Sequence, residues 1–192
     1  MVSAEALCAI AGIPPIDLLV QERGRIDEAN VEVTTALKKR ERLRTIEEWQ
    51  LRWDRNNDKA QWTKRLIPHL GAWTECRQRR TGYFLTQFLS GHGSFRVYTN
   101  RIGKANDNLC IYCKNVDIAE HTIFECLKWA SNRHRFEMDA GRYLTPDNIV
   151  QYMLGSTANY ELTANYISTI MKKKETEERE SQAEEKRRQD QR

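Results

Sequence analysis

At 192 residues and 22.6 kDa the chain is sized for one ordinary domain or two small ones. Hydrophobic residues make up 40%, charged residues 30% and mean hydropathy is -0.75, so a modest core is expected with much of the chain wetted. The net charge of +4 is concentrated, and the longest nearly unbroken apolar stretch, Leu7 to Ile13, is far below the roughly 18 residues that span a bilayer, which argues against a membrane-spanning function.

Taken in chain order, Ser3 caps a short helix through Ala4, Leu7 and Ile10, which Gly12 and Pro14-Pro15 end. From Ile16 to Asn56 there is no proline and a single glycine, Gly24. The apolar residues Ile26, Ala29, Val33, Ala36, Leu37, Leu43, Ile46, Trp49 and Trp53 recur mostly at steps of three and four. This pattern predicts a long amphipathic arm, kinked if anywhere at Gly24, that Asn56-Asn57-Asp58 breaks. Residues 1–58 form the first predicted segment.

Residues 59–104 form the second, read as short helices: Trp62 to Ile67 before Pro68, a piece around Trp73, Tyr83 to Leu89, and a helix capped by Ser94 after the Gly91-His92-Gly93 turn. His92 is assigned to that turn as a structural residue. The segment holds nine Lys/Arg against one acid, Glu75, interleaved with Trp62, Trp73, Tyr83, Phe84, Phe88, Phe95 and Tyr98. Cations serve phosphates and flat rings serve bases, so RNA or DNA contacts are expected at Lys64, Arg65, Arg77, Arg79, Arg80, Arg96, Arg101 and Lys104. The competing reading of each ring is that it packs in the core.

The third segment, residues 105–140, carries three of the five cysteines and His121 as Cys110-x2-Cys113-x7-His121-x4-Cys126; Cys8 and Cys76 stand apart. An odd cysteine count at uneven spacing argues against a disulfide framework, and two thiolates two residues apart suit one tetrahedral ion. One structural Zn2+ is predicted, with a full shell that leaves no open position for hydrolysis. His121 and Cys126 are five apart, about 140° around an ideal α-helix, so the helix predicted from His121 to Met138 must distort or be displaced at the third cysteine. Phe124 and Trp129 are expected beside the metal, with stacking on a base as the alternative for either. Residues 141–171 form two further helices: Thr145-Pro146-Asp147 opens the first, and Ala164, Ile167, Ile170 and Met171 face inward in the second, which starts at Tyr160. Residues 172–192 hold eight basic and seven acidic residues and almost nothing apolar, and read as a solvated helix or a disordered tail with nothing to pack.

The sequence has no adjacent aspartate pair for a two-metal centre, no phosphate-binding glycine loop followed by Lys-Ser/Thr and no G-x-S-x-G elbow, so no catalytic residues are assigned and no catalysis by this chain alone is expected. The N-terminal Met-Val-Ser-Ala-Glu lacks the basic lead and apolar core of a secretory signal, which predicts an intracellular setting, nuclear or cytoplasmic.

Several runs occur in an order that resembles one family. Ser3-Ala4-Glu5-Ala6-Leu7 through Ile10-Ala11-Gly12-Ile13-Pro14-Pro15-Ile16-Asp17-Leu18, then Trp62-Thr63-Lys64-Arg65-Leu66-Ile67-Pro68, then Leu85-Thr86-Gln87-Phe88-Leu89-Ser90-Gly91-His92-Gly93-Ser94-Phe95 are similar to the region after the polymerase thumb in non-LTR retrotransposon reverse transcriptases of the arthropod ribosomal-DNA and telomeric-repeat type. Cys110-Ile111-Tyr112-Cys113 to Cys126-Leu127-Lys128-Trp129 resembles their C-terminal CCHC zinc knuckle. The resemblance covers about residues 2–175. It implies a mostly α fold and a C-terminal fragment of a transposable-element polyprotein whose RNA-directed DNA polymerase and endonuclease are elsewhere. It also implies zinc on Cys110, Cys113, His121 and Cys126, and RNA, DNA and the missing polymerase portion as partners. Two other readings stand beside it: a protein-interaction module whose long arm pairs with a partner helix while zinc staples the fold, and a fragment with no present activity.

Overall fold

The computed structural model describes residues 2–29, 32–55 and 60–190. It is mostly helical; the described residues contain no strand, only an isolated antiparallel bridge between Leu109 and Val116. The chain divides into two compact units, residues 1–79 and 80–192. The basic stretch 59–104 is therefore no module of its own: its first part belongs to the first unit and its second part to the other. No single helix among the described residues is long and apolar enough to cross a membrane.

In the first unit, α1 (Ala4–Ala11) starts where Ser3 Oγ accepts the Ala6 N–H at 3.1 Å and stops at Gly12 in the left-handed region, φ 63°. That positive φ favours glycine, and the Arg79 guanidinium lies against the open side of Gly12, where a Cβ would make it shift. The predicted long arm is two helices, α2 (Ile16–Glu28) and α3 (Thr35–Arg55). Gly24 sits within α2, and the break falls after it. Thr34 Oγ1 caps α3 by accepting the Leu37 N–H at 3.1 Å, and the β-branched run Val33-Thr34-Thr35 suits an extended entry better than a continued helix. The two helices pack antiparallel. Arg25 on α2 reaches Glu41 at 2.9 Å, Thr45 at 2.8 Å and Glu48 at 3.3 Å on α3, while Glu22 meets Arg42 and Asp17 meets Arg52. Of the predicted apolar stripe, Ile26, Leu37, Trp49 and Trp53 are buried within this unit, whereas Val33 and Leu43 stay exposed. The break expected at Asn56-Asn57-Asp58 lies outside the described residues.

Helices α4 (Gln61–Leu66) and α5 (Leu70–Glu75) complete this unit. Two tryptophans tie it together through their only polar atoms: Trp53 Nε1–H donates to the Ile67 carbonyl at 3.0 Å and Trp73 Nε1–H to the Ile10 carbonyl at 3.3 Å. Trp53→Phe keeps most of the buried area and removes one donor, leaving the Ile67 carbonyl short of a partner. The expected cost is about 1–2 kcal/mol of stability, read by denaturant unfolding followed by tryptophan fluorescence.

The second unit holds α6 (Tyr83–Ser90), α7 (Arg96–Arg101), a π-turn (His121–Glu125) running into a 3-10 turn (Leu127–Trp129), then α8 (Ala130–Ala140), α9 (Ile149–Leu154) and α10 (Thr157–Asp190). Ser94 does not cap α7. Its own N–H is donated to Gln87 Oε1 at 3.1 Å, and the α7 N-terminus is satisfied from a distance by Asp117 Oδ2, which accepts the Arg96 N–H at 2.8 Å. Phe88, Phe95, Ile123, Ile167, Ile170 and Met171 fill the core. Helix α10 has 34 residues, about 50 Å, so the helical alternative holds for residues 172–190, and what is corrected is the expectation that nothing there packs. Lys174 and Glu178 are 0% and 1% exposed, because they pair inside the fold with Asp117 and Arg96. Composition alone missed this, since burying a charge requires its counter-charge, here from elsewhere in the chain.

Candidate metal centre

The site is built by a tight turn and a π-turn. Cys110 N–H donates to the Asn115 carbonyl at 2.7 Å and Lys114 N–H to the Cys110 carbonyl at 3.0 Å, with Lys114 in the left-handed region at φ 64°. This turn points Cys110 and Cys113 the same way. The second pair solves the five-residue problem by changing helix type: Cys126 N–H donates to the His121 carbonyl at 2.8 Å, an i→i+5 bond that stacks residues five apart. A straight α-helix would have parted them. The chain then continues through the 3-10 turn into α8, which is the expected displacement at the third cysteine.

The four donor atoms all lie within 4.8 Å of one another, so Cys110, Cys113, His121 and Cys126 could hold a metal ion. Cys110 and Cys126 sulfurs are 3.8 Å apart, Cys113 and Cys126 sulfurs 4.0 Å, and His121 Nε2 is 3.1 Å from Cys113 Sγ. A tetrahedral ion with metal–sulfur bonds of about 2.3 Å has sulfur–sulfur edges of about 3.8 Å. With Nε2 turned to the thiols, the buried Nδ1 of His121 has Glu125 as its nearest carboxylate, at 3.5 Å. Sequence reading passed over Glu125, whose i,i+4 spacing from the histidine was the available signal.

Burial pushes the Cys110 thiol up, and the Cys126 thiol up to about 12. Burial also acts to raise Cys113, but the Asn115 N–H and the two neighbouring thiols outweigh it and hold that thiol below its ordinary value. A metal must therefore displace protons from Cys110 and Cys126 at neutral pH, and its apparent affinity is expected to fall about tenfold per displaced proton for each unit of acidification. Competition titrations with a chromophoric chelator between pH 8 and 6 measure this slope; a flat profile is incompatible with thiolate ligation.

Around the cluster, Trp129 is 2% exposed and packs edge-on to Tyr112 with ring centroids 5.8 Å apart, whereas half-buried Phe124 leans on Phe88 at 6.2 Å. Trp129 offers no face to a base. Asp117, between Cys113 and His121 in the chain, is fully buried and accepts from the Arg96 N–H, from Thr122 Oγ1 at 2.9 Å and from Lys174 Nζ at 2.7 Å.

The eight cations proposed for nucleic acid differ in what they can offer. Arg96 is 2% exposed and paired with Asp107 and Glu178, so it has no surface for a phosphate, and that assignment is corrected. Arg79 donates to the Trp73 carbonyl at 2.8 Å and lies over the Trp73 ring, which makes it part of the first unit's packing. Lys64 sits over Trp53, and Arg101 over Tyr98 beside His92 Nε2 at 3.0 Å. Arg65, Arg77, Arg80 and Lys104 have exposed side chains. Of the interleaved rings, Trp73, Phe88 and Phe95 are core, and Tyr83 is 63% exposed. His92 is structural as expected: Nδ1–H donates to the Ser90 carbonyl at 2.7 Å, and burial holds its pKa down.

No family model matches the chain, and neither a curated protein nor a solved structure matches it.

Proposed function

We propose that the chain is a nucleic-acid-binding region of the kind found at the C-terminus of non-LTR retrotransposon reverse transcriptases, with one structural zinc knuckle and no catalytic centre of its own, handling RNA template or DNA target. The observation that carries this reading is the convergence of Cys110, Cys113, His121 and Cys126 on one point. A Cys3His donor set of that size suits Zn2+ and fills its shell. The ordered motifs quoted above and the exposed cations Arg65, Arg77, Arg80 and Lys104 support the same reading.

The test has two parts. Purified without chelator, the chain is expected to carry about one zinc. It is also expected to bind single-stranded RNA or DNA with an affinity that falls steeply with salt, about 0.7 counterions being released per phosphate contact. Reversing Arg65, Arg77, Arg80 and Lys104 to glutamate is expected to weaken binding at low salt and to leave zinc content and helicity unchanged. Filter binding across salt concentrations reads the effect, and normal binding by this variant overturns the assignment of these cations.

A protein-interaction role keeps one specific support: Ile16 and Val20, one helical turn apart on α2, are 75% and 64% exposed. Sedimentation showing a concentration-dependent mass in a chain that binds no oligonucleotide would favour that role.

A further inference from the structure

By count, the seven acidic residues of 172–192 nearly balance its eight basic ones. The structure sorts them differently. Glu178 turns inward to Lys174 and Arg96, Glu175 accepts from Tyr83 Oη and Arg179 at 2.8 Å each, and Glu177 faces Lys128 at 3.6 Å. Lys172 and Lys173 are left exposed, with no acidic partner among the described residues. They share a face with Thr169 and Thr176, at positions i, i+3, i+4 and i+7 of one helix.

That face continues as a shallow track. Between α8 and α10 lies an open cleft of about 400 Å³, floored by Phe136 and Tyr166, whose rings stack 4.1 Å apart, and edged by Ser131, Asn132 and Arg135 on one side and Asn165 on the other. A second depression of about 450 Å³ over Lys172 and Lys173 shares Thr169 with it. The stripe from Leu162 to Thr176 is about 21 Å long. It presents three cations together with hydroxyl and amide groups. Its two lining carboxylates are Asp139 at one end and Glu177, the partner of Lys128, at the other.

We infer that this track along α10, with Arg135, Lys172 and Lys173 as its cations, binds the phosphodiester backbone of single-stranded nucleic acid. Charge complementarity selects a polyanion, and side-chain amides and hydroxyls donate to phosphate and sugar oxygens without reading sequence. The inference rests on the nucleic-acid reading above and adds to it a surface distinct from the basic stretch 59–104.

The experiment uses the full zinc-loaded chain and a fluorescein-labelled single-stranded oligouridylate or oligothymidylate, followed by anisotropy from low to moderate salt. Arg135→Glu/Lys172→Glu/Lys173→Glu is expected to lower affinity by at least about tenfold at low salt and to reduce the salt slope by about 2, from three contacts at about 0.7 each. The control Lys186→Glu/Arg187→Glu/Arg188→Glu makes the same charge change farther along the same helix and is expected to do much less. Should the first variant lose helicity or zinc, Lys172→Gln/Lys173→Gln replaces it, with an expected fall in slope of about 1. Wild-type binding by the track variant, or an equal loss in the control, overturns the track and leaves the nucleic-acid reading standing. Failure of the wild-type chain to bind either oligonucleotide overturns both, and binding instead to vesicles rich in phosphatidylserine would reassign the surface to membranes.

Discussion

Lys174→Ala is expected to cost the second unit about 3–5 kcal/mol, whereas Lys172→Ala and Lys173→Ala, two residues and one residue away, are expected to stay within about 0.5 kcal/mol. The contrast follows from burial. Lys174 Nζ is enclosed between Asp117 Oδ2 at 2.7 Å and Glu178 Oε1 at 3.4 Å, and Arg96 lies 3.4 Å from the other oxygen of Glu178. Two cations and two carboxylates are buried together. Removing one cation strands a negative charge in a place water cannot reach. Burial already pushes the Glu178 carboxyl up against the pull of Lys174 and then Arg96, so the site has little spare stabilisation for the anion. Urea unfolding of the three variants under matched metal and salt conditions decides the matter. Equal behaviour would mean that Lys174 is solvated in solution. The loss should reach the metal loop as well, because Asp117 joins it to α7 and α10.

The second large effect belongs to the metal. Cys113→Ser and His121→Ala are each expected to lower bound zinc from about one per chain towards none, and to remove the helicity of residues 119–130 along with it. The π-turn between His121 and Cys126 is a conformation that helices rarely adopt unless something holds it, and a bound ion bridging its two ends would do so. A ligand present at a thousand times its dissociation constant stabilises the folded form by about 4 kcal/mol. Chelator treatment of the wild-type chain should therefore reproduce the variants. Zinc analysis paired with far-ultraviolet circular dichroism reads both consequences, and a fully helical, metal-free wild-type chain would remove zinc from the account. Cys8→Ser and Cys76→Ser, in the first unit and outside the cluster, are the matched controls.

Much of the fold was readable from local chemistry. Ser3 and Gly12 bound α1, Gly91 ends α6 and Gly141 ends α8, because caps and left-handed stops depend on one or two residues and their immediate neighbours. The donor set was readable for the same reason: a two-residue spacing lets both thiols reach one ion through a single tight turn. Even the mismatch at His121 and Cys126 was legible as arithmetic on an α-helix.

What the sequence could not decide depended on partners far away in the chain. A continuous helix from residue 16 to 56 and a hairpin of two helices have nearly the same periodicity. The choice fell to the hairpin, which matches Arg25 to Glu41 and Glu48, Glu22 to Arg42 and Asp17 to Arg52. Arg96 was indistinguishable from its exposed neighbours as a member of a basic stretch, and Lys174 from Lys172 and Lys173 as a member of a charged tail. Only the approach of Asp117 and Glu178 separates them, since a charge enters a core when its counter-charges are already placed there. The sequence by itself determined a helical chain with one Cys3His donor set and an excess of cations before it. The tertiary structure decided which of those charges face water and which hold the fold together, because that sorting is a property of contacts between distant residues, which composition and spacing do not record.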